Sequence, residues 1–355
     1  MDSYRKNVQR LFESESKFFC MVRRLICGVV ICCIHTSYAQ HVERYRDISY
    51  KDITIHKNVQ YVVDLPAGVN KNFYRADVCQ PFADHFQKRP LIIWLHGGAF
   101  KFGSKNAAGT TLWCETFAKR GYVCAAINYG LNRRNPLFKR KTFYKGCYEA
   151  LQYVNQAIGF FKQNADRYGI DTNVIILAGN SAGAMIALQY AFSHSGELKR
   201  LIYPEHVNVD YSHHPSASIR AVINFWGAIF KDEWLKNAET PIVSVHGKRD
   251  HLVPIDNHND FMSGSSIIHK EATSLGIPNR LKVYNNYAHE LHKRFNPLRA
   301  SKATKRRWLE AGQFAADFLY DELFSRFTFI EDKASEISRQ ITELKTQPWI
   351  LKGGN

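Results

Sequence analysis

The chain has 355 residues, 45% of them hydrophobic, and carries a formal net charge of +16. That is enough for one large α/β domain or two ordinary ones, and too apolar for a disordered chain. A basic surface favours anionic polymers or a membrane face in general, but no nucleic-acid-binding motif accompanies the charge, so it reads as a solvated surface with no nucleic-acid partner.

At the N-terminus, Arg23-Arg24 precedes an apolar run at 25–34, and Ser37-Tyr38-Ala39 supplies small residues at the two key cleavage positions. This predicts a signal peptide over residues 1–39, with Met21 as a second candidate start, cleavage after Ala39, and a secreted or periplasmic mature chain. The apolar run is too short for a permanent membrane span. Losing this segment removes six basic and three acidic side chains and leaves +13. Of eight cysteines, Cys79, Cys114, Cys124 and Cys147 remain. In an exported protein they allow three full disulfide pairings, although Cys124, inside an apolar run, equally fits a buried free thiol.

Residues 40–58 read as an irregular N-terminal segment. β-rich stretches follow at 60–65 and 73–79, around a Pro-Ala-Gly turn, and are expected as an antiparallel edge. From residue 91 strands alternate with helices. Apolar runs predict buried strands at 91–95, 123–128, 174–178, 219–225, 242–246 and 281–284; helical patterns fall at 111–119, 142–168, 182–193, 257–275 and 302–323. Such alternation builds a mostly parallel central sheet with helices on both faces, an α/β fold, here over residues 59–323. Residues 196–218, with Pro204, His206, His213 and His214, form the longest irregular insertion, whose histidines lack ligand-like spacing with carboxylates and imply no metal. The basic cluster 302–307 reads as the exposed start of the last helix. Residues 324–355 are a C-terminal extension with Ile337, Ile341 and Leu344 at helical spacing and no evident chemistry.

Gly179-Asn180-Ser181-Ala182-Gly183 stands between a predicted strand and a predicted helix. Strand, G-x-S-x-G, helix is the setting of a nucleophile elbow, a turn so tight that only small residues fit beside the serine. Such a serine needs donors for an oxyanion, a base and an acid that orients the base. His96-Gly97-Gly98-Ala99-Phe100 directly follows the strand at 91–95 and offers the backbone N–H groups of Gly98 and Ala99, with Ala182 as a third. Asp250, in His246-Gly247-Lys248-Arg249-Asp250, is the candidate acid; it follows a strand, and ligand sites in open α/β sheets lie at the carboxyl edge. Asp256 and Asp260 are runners-up that fall too far into the next predicted helix. His289 is the candidate base, since small Ala288 suits a tight loop; His292 competes, while His246 and His251 read as structural. Imidazole suits the role because its ordinary pKa near 6.5 lets it take and return a proton. Phe100, Phe102 and Trp226 are candidate walls of an acyl or aromatic pocket, or else ordinary core aromatics.

From about residue 60 to 323 the chain resembles an α/β-hydrolase of the carboxylesterase and hormone-sensitive-lipase-like group. The resemblance is carried by HGGAF at 96–100, the Gly121-Tyr122-Val123 strand entry leading to Tyr129, Tyr168-Gly169-Ile170-Asp171, GNSAG at 179–183, HGKRDHLVP at 246–254 and AHEL at 288–291. It implies the α/β-hydrolase fold, Ser181 as nucleophile, Asp250 as acid, His289 as base, and no metal or organic cofactor. The chain departs from the pattern at Ala99, where a third glycine often stands, and at Asn180, where Asp or Glu is usual. Asn286 and Ala288 also stand where glycines are usual, and the large N-terminal cap of some members is not evident. The expected activity is an exported serine carboxylesterase acting on short acyl or hydroxycinnamoyl esters, free or linked to carbohydrate. A serine peptidase, amidase or lipase on the same fold is the alternative enzyme. A catalytically inactive binding module is the alternative from another class, and the intact Ser/Asp/His set disfavours it.

Overall fold

The computed structural model describes residues 43–65, 67–132, 139–205, 208–209, 218–294, 296 and 299–325. The predicted signal peptide, His206, His213, His214 and the extension beyond residue 325 lie outside the described residues. Eight strands, β1 (Ile53–Gln60), β2 (Arg75–Pro81), β3 (Arg89–Leu95), β4 (Val123–Ile127), β5 (Ile170–Asn180), β6 (Ala221–Phe225), β7 (Ile242–Gly247) and β8 (Asn279–Tyr284), form one sheet. Its order is β1-β2-β4-β3-β5-β6-β7-β8. β1 and β2 pair antiparallel with each other, and β2 with β4. Every other neighbour is parallel.

Helices α1 (Ala108–Ala118), α2 (Arg140–Gln163), α3 (Ala182–Phe192), α4 (Glu197–Ile202), α5 (Ser265–Ser274) and α6 (Lys302–Leu323) cover the sheet. The two-residue period of a strand divides its apolar run between them. Leu91, Ile93 and Leu95 of β3 pack with α2, α3 and α5 on one face, while Ile92 and Trp94 pack with Trp113 and Phe117 of α1 and Trp308, Ala311 and Phe318 of α6 on the other. All seven residues of β3 are buried, as a strand covered on both faces requires.

Several expectations need correction. The stretch expected at 60–65 is not a strand beyond Gln60, and 281–284, expected to be buried, belongs to a half-buried edge strand. Residues 53–58 are not irregular: they are the body of β1, which runs across the expected boundary at 58/59. Its register against β2 shifts between His56 and Val59. There Asn58 takes φ +57° and donates its N–H to Asp77 Oδ1 at 2.7 Å, a bulge that breaks the alternation by which a strand is recognised. The helix expected at 257–275 begins only at Ser265, because Asn259 Oδ1 accepts from the amides of Phe261 and Met262 at 2.8 and 3.2 Å, a local alternative to helical bonding. The insertion at 196–218 contains α4, so it is not irregular throughout. The reading left open for Cys79, Cys114, Cys124 and Cys147 resolves to buried thiols, with the Sγ atoms of Cys114 and Cys124 3.0 Å apart between α1 and β4.

Candidate active site

The candidate groups sit at the carboxyl ends of β3, β5 and β7 and just beyond β8. Ser181 joins β5 to α3 with φ +55° and ψ −122°, a left-handed conformation costing a non-glycine residue roughly 1–3 kcal/mol. The turn is locked on both sides: Ser181 N–H donates to the Phe225 carbonyl at 2.9 Å, and Met185 N–H to the Ser181 carbonyl at 3.0 Å. The flanking glycines are a steric requirement. A Cβ on Gly179 would lie 2.3 Å from the Gly183 carbonyl carbon, and one on Gly183 would lie 2.0 Å from the Leu95 carbonyl oxygen.

The turn after β3 is held next to that serine. Gly98 has φ +124° and Ala99 φ +51°, and the amides of Lys101 and Phe102 fold back onto the Gly98 carbonyl at 3.0 and 2.9 Å. Among the described residues, neither the Gly98 nor the Ala99 N–H has an acceptor, which leaves both available to a ligand oxygen. Ala182 N–H opens α3, where first-turn amides have no partner within the helix. His96 anchors the turn: its ring stacks on Tyr129 at 4.2 Å, and the Tyr129 hydroxyl donates to the His96 carbonyl at 2.7 Å. Burial pushes His96 down to about 4. Its Nδ1 lies 2.7 Å from the Gly97 carbonyl, so that nitrogen carries the hydrogen.

The structure brings Ser181, His289 and Asp250 together. His289 Nε2 is 2.9 Å from Ser181 Oγ, and His289 Nδ1 is 2.6 Å from Asp250 Oδ2. His292, the competing histidine, is buried, with its Nε2 3.9 Å from the Glu290 carboxylate. Asp256 and Asp260 lie in the loop before α5 and outside this constellation. Burial alone would raise the Asp250 carboxyl, but hydrogen bonds from His246 and His289 outweigh it and hold the group well below the ordinary carboxylate range. Burial raises the neighbouring Glu290 carboxyl, opposed by His289 and reinforced by Asp250. Among the described residues no group of three or more His, Cys, Asp or Glu side chains is arranged to hold a metal ion, and no helix is long and apolar enough to cross a membrane.

The loop bearing His289 is strained and clamped. Glu290 and Leu291 take φ +55° and +56°. Their carbonyls are gripped from α6 by Trp308 Nε1 and Arg307 Nε, each at 2.8 Å. The start of α6 is therefore not all exposed: Arg307 is buried, with its guanidinium 4.0 Å from the Tyr287 ring centroid. Neither Arg307 nor Trp308 belongs to a motif in the sequence, yet from a distant helix both hold the two residues that follow His289. Trp226 is not a pocket wall. It is fully buried in the core beside Phe225 and Trp113, at 5.5 and 5.7 Å. Phe100 is buried edge-on against Phe143 at 4.7 Å, while Phe102 stands 57% exposed beyond the turn.

Strand order and a serine on a strained strand-to-helix turn are those of the α/β-hydrolase fold. The BD-FAE family model matches residues 77–236. Gut esterase 1 of Caenorhabditis elegans is 28% identical over 107 residues, 30% of this chain and 19% of that protein. Arylacetamide deacetylase of Bos taurus is 27% identical over 176 residues, 43% of this chain and 42% of that protein. The chain thus spans less than half the length of these curated relatives. The structure of Thermogutta terrifontis esterase 2 phosphorylated by paraoxon superposes with a TM-score of 0.52 and 20% identity, covering 78% of this chain and 96% of that one, a likeness of fold. The chain has the α/β-hydrolase fold, and the proteins it is similar to are esterases and a deacetylase.

Proposed function

We propose that this protein is a serine carboxylesterase. The observation that carries the reading is His289, bridging Ser181 at 2.9 Å and Asp250 at 2.6 Å, the spacing a nucleophile, base and orienting acid need. Ser181 Oγ attacks the ester carbonyl as His289 Nε2 takes its proton. Asp250 holds Nδ1–H and offsets the charge of the imidazolium. The N–H groups of Gly98, Ala99 and Ala182 receive the oxyanion, whose stabilisation is usually the largest electrostatic contribution to such catalysis. His289 returns the proton to the leaving alcohol; water then repeats the sequence on the acyl-serine and releases the acid.

The proposed substrates are short acyl or hydroxycinnamoyl esters, free or on extracellular carbohydrate, met by a protein exported after loss of residues 1–39. Export rests on the signal-like N-terminus alone, and the substrate class on that location. The test is hydrolysis by the purified chain of aryl esters of increasing length, acetylated and feruloylated oligosaccharides, and peptide amides. Ester turnover and labelling of Ser181 by a fluorophosphonate are expected, with Ser181→Ala reducing kcat about a millionfold. Turnover that survives Ser181→Ala overturns the nucleophile assignment. A folded wild type that neither hydrolyses esters nor takes the label is instead a binding module, and preference for amides makes it a peptidase or amidase.

A further inference from the structure

A second histidine touches the carboxylate that orients the base, and the mechanism above does not use it. His246 lies in β7 and is fully buried. Its Nε2 is 2.8 Å from the Val253 carbonyl and 3.3 Å from Asp250 Oδ2, and its Nδ1 is 2.7 Å from Ser265 Oγ. A carbonyl only accepts, so Nε2 carries a hydrogen. The Ser265 hydroxyl then donates to Nδ1, while itself accepting from Asn224 Nδ2 at 3.1 Å. Asn224 is fixed in turn: Nδ2 also reaches Ser244 Oγ at 3.0 Å, and Oδ1 accepts from Gly227 N–H at 3.0 Å. A buried chain from β6 through α5 to β7 therefore dictates which nitrogen of His246 faces the site.

Asp250 shows why this matters. Its Oδ1 accepts from the amides of Leu252 and Val253, both at 2.9 Å. Its Oδ2 faces His289 Nδ1 at 2.6 Å and His246 Nε2 at 3.3 Å. The titratable groups around this carboxylate are His246 from β7, and His289 and Glu290 from the loop after β8. His246 Nε2–H, shared with the Val253 carbonyl at 2.8 Å, is the further donor beside Oδ2, at 3.3 Å. We propose that His246 is a positioning residue. Its Nε2–H, aimed by Ser265 and Asn224, orients the Asp250 carboxylate and through it the His289 imidazole toward Ser181. This rests on the esterase reading above.

The test compares two carboxamides in the full-length enzyme. The His246→Gln amide reaches the Nε2 position, while that of His246→Asn stops at the Nδ1 position, still within reach of Ser265. His246→Asn is expected to lose about 10- to 100-fold in kcat with KM little changed, the effect of one hydrogen bond to a charged group. It is also expected to displace the acid limb of the kcat/KM profile against pH and to move the downfield proton resonance of the His289–Asp250 bond. His246→Gln is expected to recover most of the loss. Should His246→Asn fail to fold, Ser265→Ala decides: it removes the partner that holds the Nδ1 side of the ring and is expected to lower kcat about two- to tenfold, the worth of a neutral hydrogen bond. Wild-type kcat, pH profile and resonance in folded His246→Asn, or unchanged kcat in Ser265→Ala, overturns the proposal. Activity retained by Ser181→Ala overturns the esterase reading itself, which separates the two failures.

Discussion

Ser181 and Gly183 meet different steric limits within one turn. Ser181 tolerates φ +55° because two backbone hydrogen bonds hold it there, whereas Gly183 has no room for any side chain. Its Cβ would press into the Leu95 carbonyl oxygen at 2.0 Å and the His96 carbonyl oxygen at 2.7 Å, both belonging to the backbone that leads into the oxyanion turn. Backbone does not yield as a flexible side chain would. Gly183→Ala is therefore expected to cost at least about 2–3 kcal/mol of stability by overpacking, and to lower kcat in the surviving folded fraction by displacing Gly98 and Ala99. Gly159 in α2 is the internal control, since a Cβ there would meet nothing within 4 Å. Gly159→Ala is expected to gain about 0.5–1 kcal/mol from helix propensity with kcat unchanged. Urea unfolding midpoints at constant m-value measure both. Equal effects from the two substitutions would show that the Leu95 contact does not limit the turn.

At the level of elements, α6 acts on a site it does not enter. Its start is legible in the sequence: Ser301 Oγ accepts from Thr304 N–H at 3.1 Å as an N-cap, and the helix begins at Lys302 as expected. Its inward face is harder to read, because a run of basic residues looks solvated whichever way each one points. Spacing holds the better signal. Thr304, Arg307, Trp308, Ala311 and Ala315 recur at helical intervals and are all buried, so Arg307 lies on the core stripe with Trp308. From there the two donors hold the left-handed Glu290 and Leu291, and with them His289. Trp308→Phe keeps most of the ring volume and removes only the N–H that reaches the Glu290 carbonyl. We expect a stability loss of about 1 kcal/mol, the net worth of one hydrogen bond, together with a severalfold fall in kcat at little-changed KM. A fall in stability with kcat intact would mean that the loop keeps its shape without this clamp.

Across the whole catalytic unit, the features legible in sequence are those written as local pattern. Apolar-rich runs mark the parallel strands, and the small-residue motifs mark the turns at their carboxyl ends; Ser181, Asp250 and His289 follow β5, β7 and β8 in that way. What escapes depends on partners remote in sequence: the bulged outer strand β1, the burial of Trp226, the clamp from α6, and the chain from Asn224 through Ser265 to His246. The same burial sets the response to acid. His96 is held near pKa 4 against an ordinary 6.5, so between these values the unfolded chain binds a proton there that the folded chain refuses. Stability from this group is complete above about pH 6.5 and is lost as pH falls toward 4, by about 3 kcal/mol at the limit. Asp250, ionised in the fold to well below its ordinary 3.8, adds a further loss only below about pH 4. Urea unfolding at steps from pH 7.5 to 4.5 should therefore show the first decline in the range where histidines charge. His96→Phe retains a ring against Tyr129 but removes the titrating group, and its stability should fall less steeply over that interval. The same slope in wild type and His96→Phe would assign the acid sensitivity to another group.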